Sequence, residues 1–134
     1  MTTQILYNSF IFNDKIDHEF ILGLYDGDYT YIQKIFEMTA RQLAQELTEL
    51  ERAYQGNDPV ALCSTVHKLK PGFGYTGLPL LQEQCQTFEE LCRNATHSAE
   101  LEHAYSVLWQ ELKSALALLQ YEAKRLSGYN ATSK

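Results

Sequence analysis

The apolar positions of this chain recur every three or four residues over most of its length, the spacing that lays a single stripe along an α-helix. From about Asp28 to Gln55 the stripe is Ile32, Ile35, Phe36, Thr39, Leu43, Leu47 and Leu50, and Gly56 closes the segment. Asn57-Asp58-Pro59 then supplies a cap and an early-turn proline, whose missing N–H costs nothing in a first turn. Leu62, Val66, Leu69 and Phe73 follow at spacings of four, three and four. A third stripe, Leu78, Leu81, Cys85, Phe88 and Cys92, starts near Thr76 to Pro79. The last runs from about Ser98 to Leu126 through Leu101, Tyr105, Leu108, Leu112, Leu116, Leu119 and Ala123. Near Asp17 a short segment carries Phe20, Ile21 and Leu24 and stops at Asp26-Gly27. The pattern predicts an all-α fold, an antiparallel four-helix bundle with a short additional N-terminal helix. Residues 1–16 are expected to form an N-terminal extension, 17–127 the bundle, and 128–134, GYNATSK, a flexible tail.

Charge changes this picture in one place. With 134 residues and 45% apolar composition the chain can bury a core as one domain. A net charge of −6 and a pI near 5.1 argue against a general nucleic-acid binder, which needs clustered Lys and Arg to neutralise phosphates. Yet no Asp or Glu occurs from Pro59 to Gln82, where His67, Lys68 and Lys70 all fall. Such an island suits an acidic partner or a phosphoryl group. The three cysteines, Cys63, Cys85 and Cys92, lack C-x-x-C spacing, so they read as small apolar residues and not as a disulfide framework or zinc site. The N-terminal twenty residues show neither a basic segment nor a long apolar run, so a cytoplasmic location is expected and the sequons at Asn94 and Asn130 carry no weight.

Two motifs invite chemistry and fail on context. Gly72 to Gly77, GFGYTG, satisfies G-x-G-x-x-G, but a dinucleotide loop needs a strand before it and a βαβ unit around it. The residues before it, ALCSTVHKLK, have helical periodicity, so these glycines are expected to end one helix and turn into the next. Glu100-Leu101-Glu102-His103 contains E-x-x-H; a di-iron bundle needs a second copy and two further inward glutamates. None of His18, His67 and His97 has a glutamate three residues earlier. No metal site is expected in this chain, and His103 is read as a surface residue.

His67 stands out by orientation. On a wheel of about 100° per residue it lies roughly 130° from the mean direction of Leu62, Val66, Leu69 and Phe73, and so faces solvent. Its neighbours on that face are Cys63, Ser64, Pro71 and Gly74, all small or compact, which leaves the ring open to close approach. An exposed neutral imidazole is a competent nucleophile near neutral pH. A phosphoryl group on it would carry charge that Lys70, one turn on, and Lys68 could stabilise.

From His67 the sequence gives Leu69, Lys70, Pro71, Gly77, Leu81, Cys85 and Glu89 in ungapped register. This resembles the signature of histidine-containing phosphotransfer (HPt) domains, which relay phosphoryl groups in multistep two-component signalling. The resemblance extends to the bundle from about Asp17 to Leu126. It implies that His67 is the phosphorylated residue and Lys70 the phosphate-facing lysine. It implies that Glu89, or Gln86 one turn earlier, hydrogen-bonds the other ring nitrogen. The docking surface is expected to comprise Cys63, Ser64, Pro71, Gly74 and Tyr75, with Phe20 or Tyr25 joining from the short helix. Pro71 departs from the pattern, which usually has glycine there; a kink or loosening just beyond His67 is expected, with the helix continuing through Phe73.

The chain has a nucleophile and cations but no acidic cluster for Mg²⁺, no nucleotide loop and none of the ATP-site motifs of histidine kinases. The resemblance therefore implies a monomeric phosphocarrier and not an autonomous enzyme. Response-regulator receiver domains and a hybrid sensor histidine kinase are its expected partners, and the Mg²⁺ is expected on the receiver. The competing reading is a non-catalytic helical-bundle adaptor.

Overall fold

The computed structural model describes residues 10–132, and over that range the chain folds as the all-helical bundle the periodicity predicts. Its helices are α1 (His18–Leu24), α2 (Tyr29–Gln55), α3 (Pro59–Tyr75), α4 (Pro79–Arg93) and α5 (Glu102–Thr132), with a 3₁₀ turn at Ser98–Leu101 before α5. Their starts are written in the sequence. The carboxylates of Asp17, Asp28 and Asp58 accept the backbone N–H of Phe20, Tyr31 and Ala61, each satisfying one of the unpaired donors of a first turn. Pro59 and Pro79 open α3 and α4, where no N–H is needed.

The stripes meet in one core. Phe36, Leu43, Leu50, Leu62, Val66, Phe73, Cys85, Leu112, Leu119 and Leu126 are all buried. α3 packs against both α2 and α4, and α2 packs against α5. His67 thus sits on a helix braced from two sides, and its neighbour α4 supplies the facing side chains.

At both ends of the chain the structure extends further than the stripes suggested. Phe10, Phe12 and Ile16, placed by sequence in the N-terminal extension, are buried in the same core. The arm is strapped to α5: the Asn13 N–H donates to Glu122 Oε1 at 2.6 Å, and Arg125 bonds both Glu122 and the Ile11 carbonyl. The last helix begins as the 3₁₀ turn and continues past Leu126 to Thr132, so residues 128–132 of the expected tail are helical. The Asn130 amide donates to Tyr29 O at 3.0 Å and Gln33 Oε1 at 2.8 Å, tying that last turn to α2. Residues 1–9 of the expected extension and 133–134 of the expected tail lie outside the described residues.

Pro71 does not end α3, which runs through it to Tyr75. The proline leaves the His67 carbonyl without its backbone donor, but the turns beyond are held by packing. Phe73 is fully buried, and a Cβ on Gly72 would come 3.0 Å from Thr39 Cγ2. The carbonyls of Lys68 and Lys70 each receive a side-chain amide, from Gln42 and Gln82, at 3.4 Å. The helix exits where both the N–H and the hydroxyl of Thr76 bond Gly72 O. Gly77 then turns at φ +70. Here only glycine fits: its φ is left-handed, and a Cβ would stand 2.7 Å from Ile21 Cγ1. Its carbonyl accepts the Asp17 N–H at 2.8 Å, joining α1 to the turn. Gly72 and Gly74 are thus part of a helix, with no strand before them.

Candidate functional site

α3 and α4 run antiparallel, so their facing residues pair in a fixed register. Gly74 faces Gln82, Lys70 faces Gln86 and His67 faces Glu89. Gly74 allows this close approach, since a Cβ there would lie 2.9 Å from Gln82 Nε2.

The His67 side chain is 69% exposed, as the wheel required, whereas that of Glu89 is 1% exposed. His67 Nδ1 lies 2.8 Å from Glu89 Oε1, and the Lys70 ammonium pairs with Glu89 Oε2. Burial alone would raise the Glu89 pKa, but hydrogen bonds from Lys70 and His67, reinforced by their charges, hold it below the ordinary glutamate value. An ionised carboxylate can only accept. Nδ1 is therefore the donor, and in the neutral ring this leaves the lone pair on Nε2. Of the two candidates, it is Glu89 that lies within hydrogen-bond distance of the ring.

Gln86 accepts instead from Lys70 Nζ, at 2.6 Å. Lys70 is only 17% exposed and shares the Glu89 carboxylate with His67. Lys68, expected to assist at the phosphate, is turned the other way: its ammonium lies 3.4 Å from Glu46 Oε2 of α2. Arg93, not singled out from sequence, brings Nη2 to 3.7 Å from Glu89 Oε1. The signal available for it was its position four residues after Glu89 on one helix face.

The expected docking residues divide between two clefts flanking His67. Pro71, Gly74 and Tyr75 line a groove of about 740 Å³ with Phe20, Leu24 and Lys70. Cys63 and Ser64 line another of about 550 Å³ with Glu89, Cys92 and Arg93. Phe20, expected as a contact from the short helix, and Leu24 are half-exposed, and of the four apolar positions in α1 only Ile21 is buried. The Tyr25 hydroxyl donates to the Tyr75 carbonyl at 2.7 Å, fixing α1 against the end of α3. Burial, with Tyr31 and Tyr75 nearby, pushes that hydroxyl's pKa up to about 12. Cys85 and Cys92 are buried thiols, each raised to about 12 primarily by burial; they are core residues, as their place in the stripe implied.

Comparison with known proteins agrees with the helical-bundle fold. A family model described as the Hpt domain matches residues 34–122. The signal transduction histidine-protein kinases BarA of Shigella flexneri and Escherichia coli strain K12 are each 26% identical over 100 residues, which is 75% of this chain. The chain spans only 11% of the length of those relatives. The HPT domain from an Hpt sensor hybrid histidine kinase of Shewanella matches at TM-score 0.73 and 23% identity, over 84% of this chain and 97% of that one; the two share a fold. Among the described residues no helix is long and apolar enough to cross a membrane.

Proposed function

The chain belongs to the Hpt domain family, and on that premise we propose that it is a phosphorelay intermediate that accepts a phosphoryl group on His67 from the aspartate of one receiver domain and passes it to another. The observation that carries this reading is the pairing of an exposed imidazole with a buried, ionised Glu89 through Nδ1. Nε2 is thereby the nucleophile. Its lone pair forms the N–P bond while the P–O bond to the donor aspartate breaks, and the electron pair of that bond leaves with the aspartate carboxylate. The ring then carries positive charge with its proton still on Nδ1, facing the Glu89 carboxylate. Glu89 stabilises that cation, and Lys70 offers its ammonium to the phosphoryl oxygens. The reverse sequence delivers the group onward.

In this reading the receiver domain brings the acceptor aspartate and the Mg²⁺, and the bundle brings a positioned nucleophile and countercharges. A hybrid sensor histidine kinase is the proposed source of phosphoryl groups. The groove lined by Phe20, Leu24, Pro71, Gly74 and Tyr75 is the proposed seat for the receiver, with the chain working as a monomer in the cytoplasm. The test is to incubate the chain with a phosphorylated receiver domain and follow acid-labile, base-stable label. Label on the wild type and none on His67→Gln is the expected result. Label retained by His67→Gln overturns the assignment, and a wild type that binds receivers without taking label favours an adaptor.

A further inference from the structure

We propose that Gln86 is a positioning residue that holds the Lys70 ammonium available to the incoming phosphoryl group, an inference that rests on the phosphotransfer reading of His67. Lys70 has two acceptors of different kinds. Glu89 cancels its charge; the amide oxygen of Gln86 accepts a hydrogen bond from it at 2.6 Å and cancels nothing. The amide is itself oriented, because Nε2 donates to Glu90 Oε1 at 3.1 Å. Reversing it would place an NH₂ against an ammonium and an oxygen against a carboxylate. An ammonium has three protons; with Gln86 accepting one and Glu89 paired with the charge, a proton is left for a phosphoryl oxygen.

The neutral side chain matters when charge arrives. As a phosphoryl group forms its bond at Nε2, the ring becomes cationic and Glu89 must serve both the ring N–H and Lys70. Gln86 then keeps the ammonium from collapsing onto Glu89 or swinging out to solvent. A carboxylate at position 86 would over-neutralise Lys70 and add repulsion beside the phosphoryl oxygens. Gln86, Lys70 and His67 all line the α1-side groove, so the ammonium and the ring border one cleft.

The experiment measures transfer from a phosphorylated receiver domain to the wild type, Q86A, Q86E, K70A and the Q86A/K70A double variant, with receiver concentration varied to separate kcat from KM. Q86A is expected to lower kcat about tenfold with KM unchanged, the effect of losing one charge-assisted positioning bond. Q86E should lower it further, and Q86A should have no added effect in the K70A background. A silent Q86A, a loss confined to KM, or an undiminished Q86A effect without Lys70 overturns the inference. A labelled wild type beside a silent Q86A overturns this inference alone. A wild type that takes no label overturns the phosphotransfer reading and this inference with it.

Discussion

Glu89→Gln isolates the charge at the centre of the site. The replacement keeps the volume and one acceptor oxygen for His67 Nδ1, 2.8 Å away, but turns the ion pair with Lys70 into a neutral contact and one acceptor into a donor. Glu89 is 1% exposed and Lys70 17%, so little solvent screening softens the loss. A hydrogen bond to a charged group contributes about 1.5–3 kcal/mol, and the mismatched NH₂ adds to that; a loss of about 2–3 kcal/mol at pH 7 is expected. That is large enough to measure and small enough to leave a domain of about 5–15 kcal/mol folded. The pH dependence supplies the sharper test. Glu89 has its pKa lowered in the folded protein, whereas unfolded glutamate titrates near about 4.3. Between those values the unfolded chain binds more protons, so stability rises with pH. The Glu89 contribution is fully present above the unfolded pKa and is lost as pH falls through the folded one. Urea unfolding followed by helical circular dichroism, from neutral to acid pH, should show wild type and E89Q separated at pH 7 and converging in acid. A gap that stays constant into acid, or none at pH 7, refutes the reasoning that Glu89 works as a buried anion.

Gly77→Ala would force a left-handed residue, φ +70, to carry a Cβ only 2.7 Å from Ile21 Cγ1. A loss of about 2–4 kcal/mol and a melting temperature lower by about 10 °C are expected; an unchanged melting curve contradicts the packing described for the turn. The two lysines should separate in transfer assays. Lys70→Ala is expected to slow transfer at least about tenfold, while Lys68→Ala, whose ammonium lies 3.4 Å from Glu46 on α2, should stay within about twofold. Equal losses in the two variants would contradict the division of roles between them.

Much of this was legible in the sequence because helical periodicity and capping are local. Asp28 and Gly56 bound α2, and Asp58-Pro59 opens α3, where the pattern placed them. The direction of His67 also follows from the wheel, since burial of Leu62, Val66, Leu69 and Phe73 leaves one outward face. What the wheel cannot give is the partner across the gap. Lys68 and Lys70 differ by two positions, yet one is drawn to Glu46 of α2 and the other to Glu89 of α4, a choice made by helix packing. Gln86 and Glu89, one turn apart, were interchangeable on a wheel; the interhelical register sends one to lysine and the other to histidine. The arm was illegible for a different reason. Phe10 and Phe12 alternate without helical spacing, and their burial depends on Glu122 and Arg125, more than a hundred residues away in sequence. Residues 128–134 read as a flexible tail, but helix α5 continues to Thr132, where Asn130 bonds across to α2.

With Glu89 holding the proton on Nδ1, His67 should react through Nε2. The most direct measurement is nitrogen–phosphorus correlation NMR on ¹⁵N-labelled chain phosphorylated by a receiver domain. One phosphorus coupled to Nε2 of His67, with Nδ1 still protonated, is the expected result. Phosphorus on Nδ1, or on any other residue, would contradict it.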